Sequence, residues 1–136
     1  MKKTIFLTEV GLRDGLQNVD PILTIRDKLH IVEGLIKAGL KQIQITSFVN
    51  KTLIPQMADA EELIFRLPRS HDVVYSGLVL NQKGLDRALI AGINQVDLSI
   101  SSSETYSQKN TRMGTKEAMN CLKKMIKKAN RFHLFL

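Results

Sequence analysis

An arginine followed at once by an aspartate opens the run Arg13-Asp14-Gly15-Leu16-Gln17-Asn18, just beyond a short β-rich segment. Asp14 offers a hard oxygen ligand for a divalent cation, and Arg13 offers a guanidinium that can stabilise negative charge developing on an oxygen. The same two residues could equally form a surface ion pair in a turn, a common and individually weak arrangement. Further polar stretches stand in comparable places: Thr46-Ser47-Phe48-Val49-Asn50, Asn81, and Ser101-Ser102-Ser103-Glu104. Each closes or follows a β-rich run. That is where an α/β barrel gathers its chemistry, at the carboxyl ends of parallel strands.

The elements that must position these residues alternate. Ile5 to Val10 reads as a strand ended by Gly11. Thr24 can cap a helix, with Asp27 as its capping-box partner, and Ile25, Leu29, Val32 and Leu35 recur at helical spacing up to Gly39. Ile43 to Phe48 forms a second strand, and Pro55 opens a helix running to Pro68. Val73 to Leu80 is a third strand, followed by a helix from Gly84 to Ala91 that Gly92 closes. Val96 to Ile100 is a fourth strand. Thr115 then opens a last helix whose Ala118, Met119, Leu122, Met125, Ile126 and Ala129 share one face. Arg131 to Leu136 reads as the start of a fifth strand.

An internal echo supports this order. Ala38-Gly39-Leu40-Lys41-Gln42-Ile43-Gln44-Ile45 resembles Ala91-Gly92-Ile93-Asn94-Gln95-Val96-Asp97-Leu98, each a helix end, a glycine, a short turn and a buried strand. Repeated connections of this kind indicate parallel strands with crossover helices. The alternation suits a doubly wound sheet or a (β/α)8 barrel. Strands recur at roughly thirty-residue spacing, and eight such units give about 250 residues, the usual barrel length. The expectation is therefore a single α/β domain over residues 1–136: a partial TIM (β/α)8 barrel of about four βα units plus the start of a fifth strand. Such a half barrel has two open strand edges and an apolar inner face, so it is expected to be a truncated piece or to pair with a partner.

Composition narrows the functional classes. No stretch approaches the ~18–20 uninterrupted apolar residues of a membrane helix. Lys2 and Lys3 before Ile5-Phe6-Leu7 mimic the start of a secretory signal, but Glu9, Arg13 and Asp14 interrupt it, so a cytoplasmic protein is expected. The single cysteine, Cys121, cannot form an internal disulfide and reads as a small core residue on a helical face. The net charge of +7 invites a nucleic-acid reading. Yet Lys116, Lys123, Lys124, Lys127, Lys128 and Arg131 fall mostly on the polar side of the last helix, and no aromatics interleave with them to stack on bases. A solvated face is the better reading, and nucleic acid is disfavoured.

The motifs carry a further likeness. Glu9-Val10-Gly11-Leu12-Arg13-Asp14-Gly15-Leu16-Gln17-Asn18 resembles the opening of 3-hydroxy-3-methylglutaryl-CoA lyases, members of the DRE-TIM metallolyase superfamily. The resemblance continues through Thr46-Ser47-Phe48-Val49, Pro55-Gln56-Met57-Ala58-Asp59, Tyr75, Leu78, Asn81 with Lys83-Gly84, and Ser103-Glu104-Thr105-Tyr106-Ser107 with Asn110. It implies an acyl-CoA substrate and a divalent metal, Mg2+ or Mn2+, with Asp14 as a metal ligand. It implies Arg13 as the catalytic arginine, with Gln17, Gln44 and Ser47 lining the substrate pocket. The implied reaction splits 3-hydroxy-3-methylglutaryl-CoA into acetyl-CoA and acetoacetate.

Two departures accompany the resemblance. The lyases carry a strand-two glutamate where this chain has Gln44, which keeps the shape and hydrogen bonds of that residue but cannot transfer a proton. The family's paired metal-binding histidines, an asparagine ligand and a loop cysteine belong to its second half, and His30, His71 and His133 do not match that motif. The expectation is a lyase portion that is inactive by itself or active with a complementary half. The alternative is a non-catalytic half barrel that self-associates or binds a protein partner.

Overall fold

Capping and turn chemistry fix where the elements begin, as a computed structural model describing residues 5–136 shows. Thr24 Oγ1 accepts from the Asp27 amide at 3.2 Å, and the Asp27 carboxylate accepts from the Thr24 amide at 3.2 Å. This reciprocal box starts α1 (Ile25–Lys37), whose Val32 is fully buried. Gly39 and Gly92 take φ of +89° and +74°, the left-handed turns that release the chain from α1 and α3 (Gln82–Ala91) into the next strands.

Those strands are β1 (Thr8–Glu9), β2 (Gln42–Ser47), β3 (Val74–Val79) and β4 (Gln95–Leu98), in the spatial order β1-β2-β3-β4. All three pairings are parallel. The sequential order and the crossover helices are those of a barrel wall, because a doubly wound sheet would reverse strand order at some point. Between β2 and β3 come a 3-10 turn at Pro55–Met57 and then α2 (Ala60–Arg66). After β4 come α4 (Glu104–Thr111) and α5 (Thr115–Arg131). The core joins Ile43, Ile45, Val79 and Val96 from the strands to Val32, Ala60, Leu85, Ala88, Met125 and Ala129 from the helices.

Three details differ from the sequence expectation. The first strand is shorter than Ile5 to Val10: only Thr8 and Glu9 pair with β2, while Ile5, Phe6 and Leu7 are largely exposed. Helix α4 was not anticipated. Its sequence is polar throughout, with Ser107 as its buried residue, so apolar periodicity gives no signal. Capping chemistry does, since Ser103 Oγ accepts from the Tyr106 amide at 3.3 Å. Finally, Arg131 to Leu136 does not begin as a strand: α5 runs through Arg131, and His133 turns the chain at φ +55° instead of lying in a strand. Only Phe135 pairs, in parallel with β4, donating to the Asn94 carbonyl and accepting from the Val96 amide at 3.0 Å each.

Two interactions tie the helices to one another and to the segment that follows β2. Lys28 of α1 is 2% exposed, and its ammonium donates to the Asp59 carboxylate at 2.7 and 2.9 Å and to the Gln56 carbonyl at 2.6 Å. Arg87 of α3 donates to both Glu61 oxygens, at 2.6 and 3.1 Å, and to the Val49 carbonyl at 2.7 Å, with its guanidinium 5.7 Å from the centre of the Phe48 ring. Gly84 lets α3 approach the end of β2. A Cβ there would lie 2.7 Å from the Phe48 carbonyl oxygen.

Candidate active site

A π-helical turn at Gly11–Gly15 carries the Arg-Asp pair over the end of the sheet. The Arg13 and Asp14 amides both donate to the Val10 carbonyl, at 3.1 and 2.7 Å, and Leu12, 2% exposed, anchors the turn in the core. The Gly11 amide is satisfied by the Glu9 carboxylate at 2.6 Å. A turn held this way directs consecutive side chains apart. Leu12 goes inward, while Arg13 is 19% exposed and Asp14 60% exposed.

Arg13 is then fixed from two sides. Its Nε donates to Gln44 Oε1 at 2.5 Å and its Nη1 to Asp14 Oδ1 at 2.7 Å, while Nη2 makes no hydrogen bond among the described residues. A guanidinium held at two nitrogens with a third free can place positive charge against a substrate oxygen. Gln44 is buried in β2, and its amide nitrogen donates in turn to Asp97 Oδ2 of β4. Ser76 of β3, also buried, donates to the same oxygen at 2.7 Å.

Ser47 ends β2 fully buried, and its Oγ has no hydrogen-bond partner among the described residues. Gln17 lies half-buried one turn beyond Asp14, and its side chain makes no hydrogen bond among the described residues. Arg13, Asp14 and Gln44 are thus joined directly, whereas Ser47 and Gln17 lie on the neighbouring strand end and turn. Asp97 and Ser76 were missed. A lone aspartate between Val96 and Leu98 reads as an ordinary strand residue, and only the folded sheet brings its side chain to Gln44, from two residues beyond the Gln95 that shares Gln44's level.

Other motif residues turn out to be structural. Asn81 caps α3 by accepting from the Gly84 amide at 2.9 Å. Glu104 accepts from the Thr115 hydroxyl at 2.6 Å and amide at 2.9 Å, bonds that hold its carboxyl below the usual range and join α4 to α5. His30, His71 and His133 are exposed and separate. Cys121 is half-buried against the core, as expected of a small core residue. Among the described residues no three His, Cys, Asp or Glu side chains cluster as a metal would require.

Comparison with known proteins decides the family, because the HMGL-like family model matches residues 4–134. The chain belongs to the HMGL-like family. It is 39% identical over 132 residues to hydroxymethylglutaryl-CoA lyase YngG of Bacillus subtilis, a match covering 97% of this chain and 44% of that protein. It is 36% identical over 119 residues to a Pseudomonas aeruginosa 3-hydroxy-3-isohexenylglutaryl-CoA/hydroxy-methylglutaryl-CoA lyase, covering 88% of this chain and 40% of the relative. The crystal structure of the B. subtilis HMG-CoA lyase superposes with a TM-score of 0.92 at 38% identity, over 98% of this chain and 45% of that one. An Acinetobacter baumannii HMG-CoA lyase in complex with coenzyme A and 3-methylmalate superposes with a TM-score of 0.89 at 30% identity, over 96% and 43%. The chain thus spans less than half the length of the HMGL-like relatives it matches. Its fold is part of a TIM barrel, four parallel strands with their crossover helices.

Proposed function

We propose that this chain supplies the carbonyl-polarising part of a carbon–carbon lyase active site of the hydroxymethylglutaryl-CoA lyase type. The observation that carries the reading is Arg13, held at Nε and Nη1 with Nη2 uncommitted among the described residues, at the carboxyl end of a parallel barrel wall. In the proposed reaction the bond between C2 and C3 of 3-hydroxy-3-methylglutaryl-CoA breaks. The C3 hydroxyl gives its proton to a base as the ketone of acetoacetate forms, and the electron pair passes to the thioester as an enolate that takes up a proton at C2 to give acetyl-CoA. Arg13 stabilises the enolate oxygen and Gln44 holds Arg13 in place. Ser47 is the further pocket residue of this reading, its buried hydroxyl reaching a substrate oxygen once the side chains that cover it shift. Gln44 cannot accept the hydroxyl proton, so the base lies elsewhere.

HMGL-like membership implies a divalent metal, and Asp14 is the residue proposed to ligate Mg2+ or Mn2+. The described residues do not make that site unaided: Asp14 is one carboxylate, one of its oxygens is taken by Arg13, and no acidic or histidine cluster surrounds it. A single carboxylate leaves most coordination positions to water.

The experiment mixes this chain with the complementary segment of the B. subtilis relative and follows acetoacetate release from 3-hydroxy-3-methylglutaryl-CoA with Mg2+ or Mn2+. Turnover that falls about 10²–10³-fold with Arg13→Ala, the scale of losing one such charge-stabilising donor, supports the reading. Turnover indifferent to Arg13, or none from a mixture shown to have assembled, rejects it.

A further inference from the structure

Three polar side chains from three successive strands meet on the face of the sheet that carries Arg13. Gln44 of β2 and Ser76 of β3 both donate to one oxygen of Asp97 of β4, the serine at 2.7 Å, while Gln44 Oε1 accepts from Arg13 Nε at 2.5 Å. The chemistry of the groups sets the direction of this chain. A carboxylate only accepts, so Asp97 draws the amino end of the Gln44 amide toward β4 and leaves its carbonyl end for the guanidinium. An amide without that constraint could turn over and set its own N–H groups against those of Arg13, donor against donor.

We propose that Asp97 is the positioning residue for Arg13, acting through Gln44, so that the carboxylate serving this arginine from within the sheet lies on β4 instead of β2. The assignment rests on the lyase reading only for its significance, because the hydrogen bonds stand without it. It accounts for Gln44. An acidic side chain at position 44 would lie within hydrogen-bond reach of Asp97, two like charges on one partly buried face, whereas an amide joins the carboxylate to the arginine with a donor on one side and an acceptor on the other. It also accounts for the buried Ser76, whose hydroxyl holds the oxygen of Asp97 that receives Gln44. Asp97 Oδ1 has no hydrogen-bond partner among the described residues, so the carboxylate is committed through one oxygen only.

The test uses the chain as it stands. Nitrogen-15 NMR follows exchange of the Arg13 Nε proton with water, and urea unfolding follows stability, in Asp97→Ala, Gln44→Glu and the double variant Gln44→Glu/Asp97→Asn. Asp97→Ala is expected to speed Nε–H exchange roughly tenfold or more, the scale of one lost hydrogen bond, in protein that remains folded. Gln44→Glu is expected to lower the urea midpoint. Adding Asp97→Asn should bring back both the midpoint and the Nε–H protection, because the exchanged pair again matches one donor group with one carboxylate. Unchanged exchange in folded Asp97→Ala, or a double variant no more stable than Gln44→Glu, overturns the assignment. If Asp97→Ala does not fold, the comparison of the double variant with Gln44→Glu decides. None of these readouts requires turnover, so the positioning role can fail while the lyase reading stands, and the acetoacetate assay tests that reading separately.

Discussion

Ser47 carries a cost to the fold that the proposed site would account for. Its hydroxyl is buried at the end of β2 without a partner among the described residues, which costs a folded protein on the order of 1–3 kcal/mol relative to a satisfied group. Removing the oxygen relieves that cost and leaves a cavity smaller than a methyl group. Ser47→Ala is therefore expected to match or exceed the parent in stability, by up to about 1 kcal/mol in urea unfolding. In the assembled enzyme the same substitution should raise KM for the acyl-CoA substrate. A stability loss above about 1 kcal/mol would mean that the hydroxyl is satisfied and is not held open for a ligand. Arg13 behaves differently. Arg13→Lys keeps the charge but has no nitrogen placed to bond Gln44 and Asp14 at once, so turnover should fall nearly as far as with alanine.

At the scale of elements, the buried Lys28–Asp59 pair makes an ordered prediction. Lys28 is 2% exposed and Asp59 24%, so the two charges are not equally able to recover water when the partner is lost. Asp59→Asn strands the lysine in the interior and is expected to cost about 3 kcal/mol, whereas Lys28→Met leaves a carboxylate that can rehydrate and should cost less, about 1–2 kcal/mol. Urea midpoints in the reverse order would contradict this account. The Glu61–Arg87 pair adds a dependence on pH. The bidentate Arg87 guanidinium holds the Glu61 carboxyl down to about 2 from an ordinary 4.5. A depressed carboxyl stabilises the fold above its unfolded pKa and stops doing so as pH falls through the folded one, so the contribution fades between about 4.5 and 2. For a pair still reached by solvent it amounts to about 1 kcal/mol. Arg87→Met should flatten the stability profile across that acid window. A profile as steep as the parent's would mean that Arg87 does not set it.

The sequence was legible where the chemistry is local. The capping box at Thr24, the glycine stops at Gly39 and Gly92, and the parallel strands after them follow from local chemistry and were expected. The Arg13–Asp14 turn was legible as well, because its residue types stand at the end of a strand. Lys28, Asp97 and Ser76 were not, since each looks like an ordinary helix or strand residue until a partner on another element arrives. Asp97 lies 53 residues from Gln44, and Lys28 lies 31 from Asp59. Helix α4 escaped for the opposite reason: its signal lies in its caps and not in any apolar period.

At the scale of the whole molecule, the sheet is open at both sides among the described residues. On one side β1 is only two residues long, with Ile5 and Phe6 before it exposed at 89% and 78%. On the other side Phe135, 71% exposed, pairs with β4 and presents its far edge. Unpaired parallel edges flanked by exposed apolar side chains recruit further strands, and a barrel removes such edges by closing. We therefore predict that the chain by itself associates reversibly, with a mean mass in sedimentation velocity that rises with concentration. Phe6→Lys combined with Phe135→Lys should return it toward the monomer, since a charged edge opposes strand addition. The complementary segment of an HMGL-like relative should compete with self-association, because it covers the same two edges while completing the sheet. A monomer of constant mass at every concentration would show that these edges are already protected, and closure of the barrel would then need another driving force than their exposure.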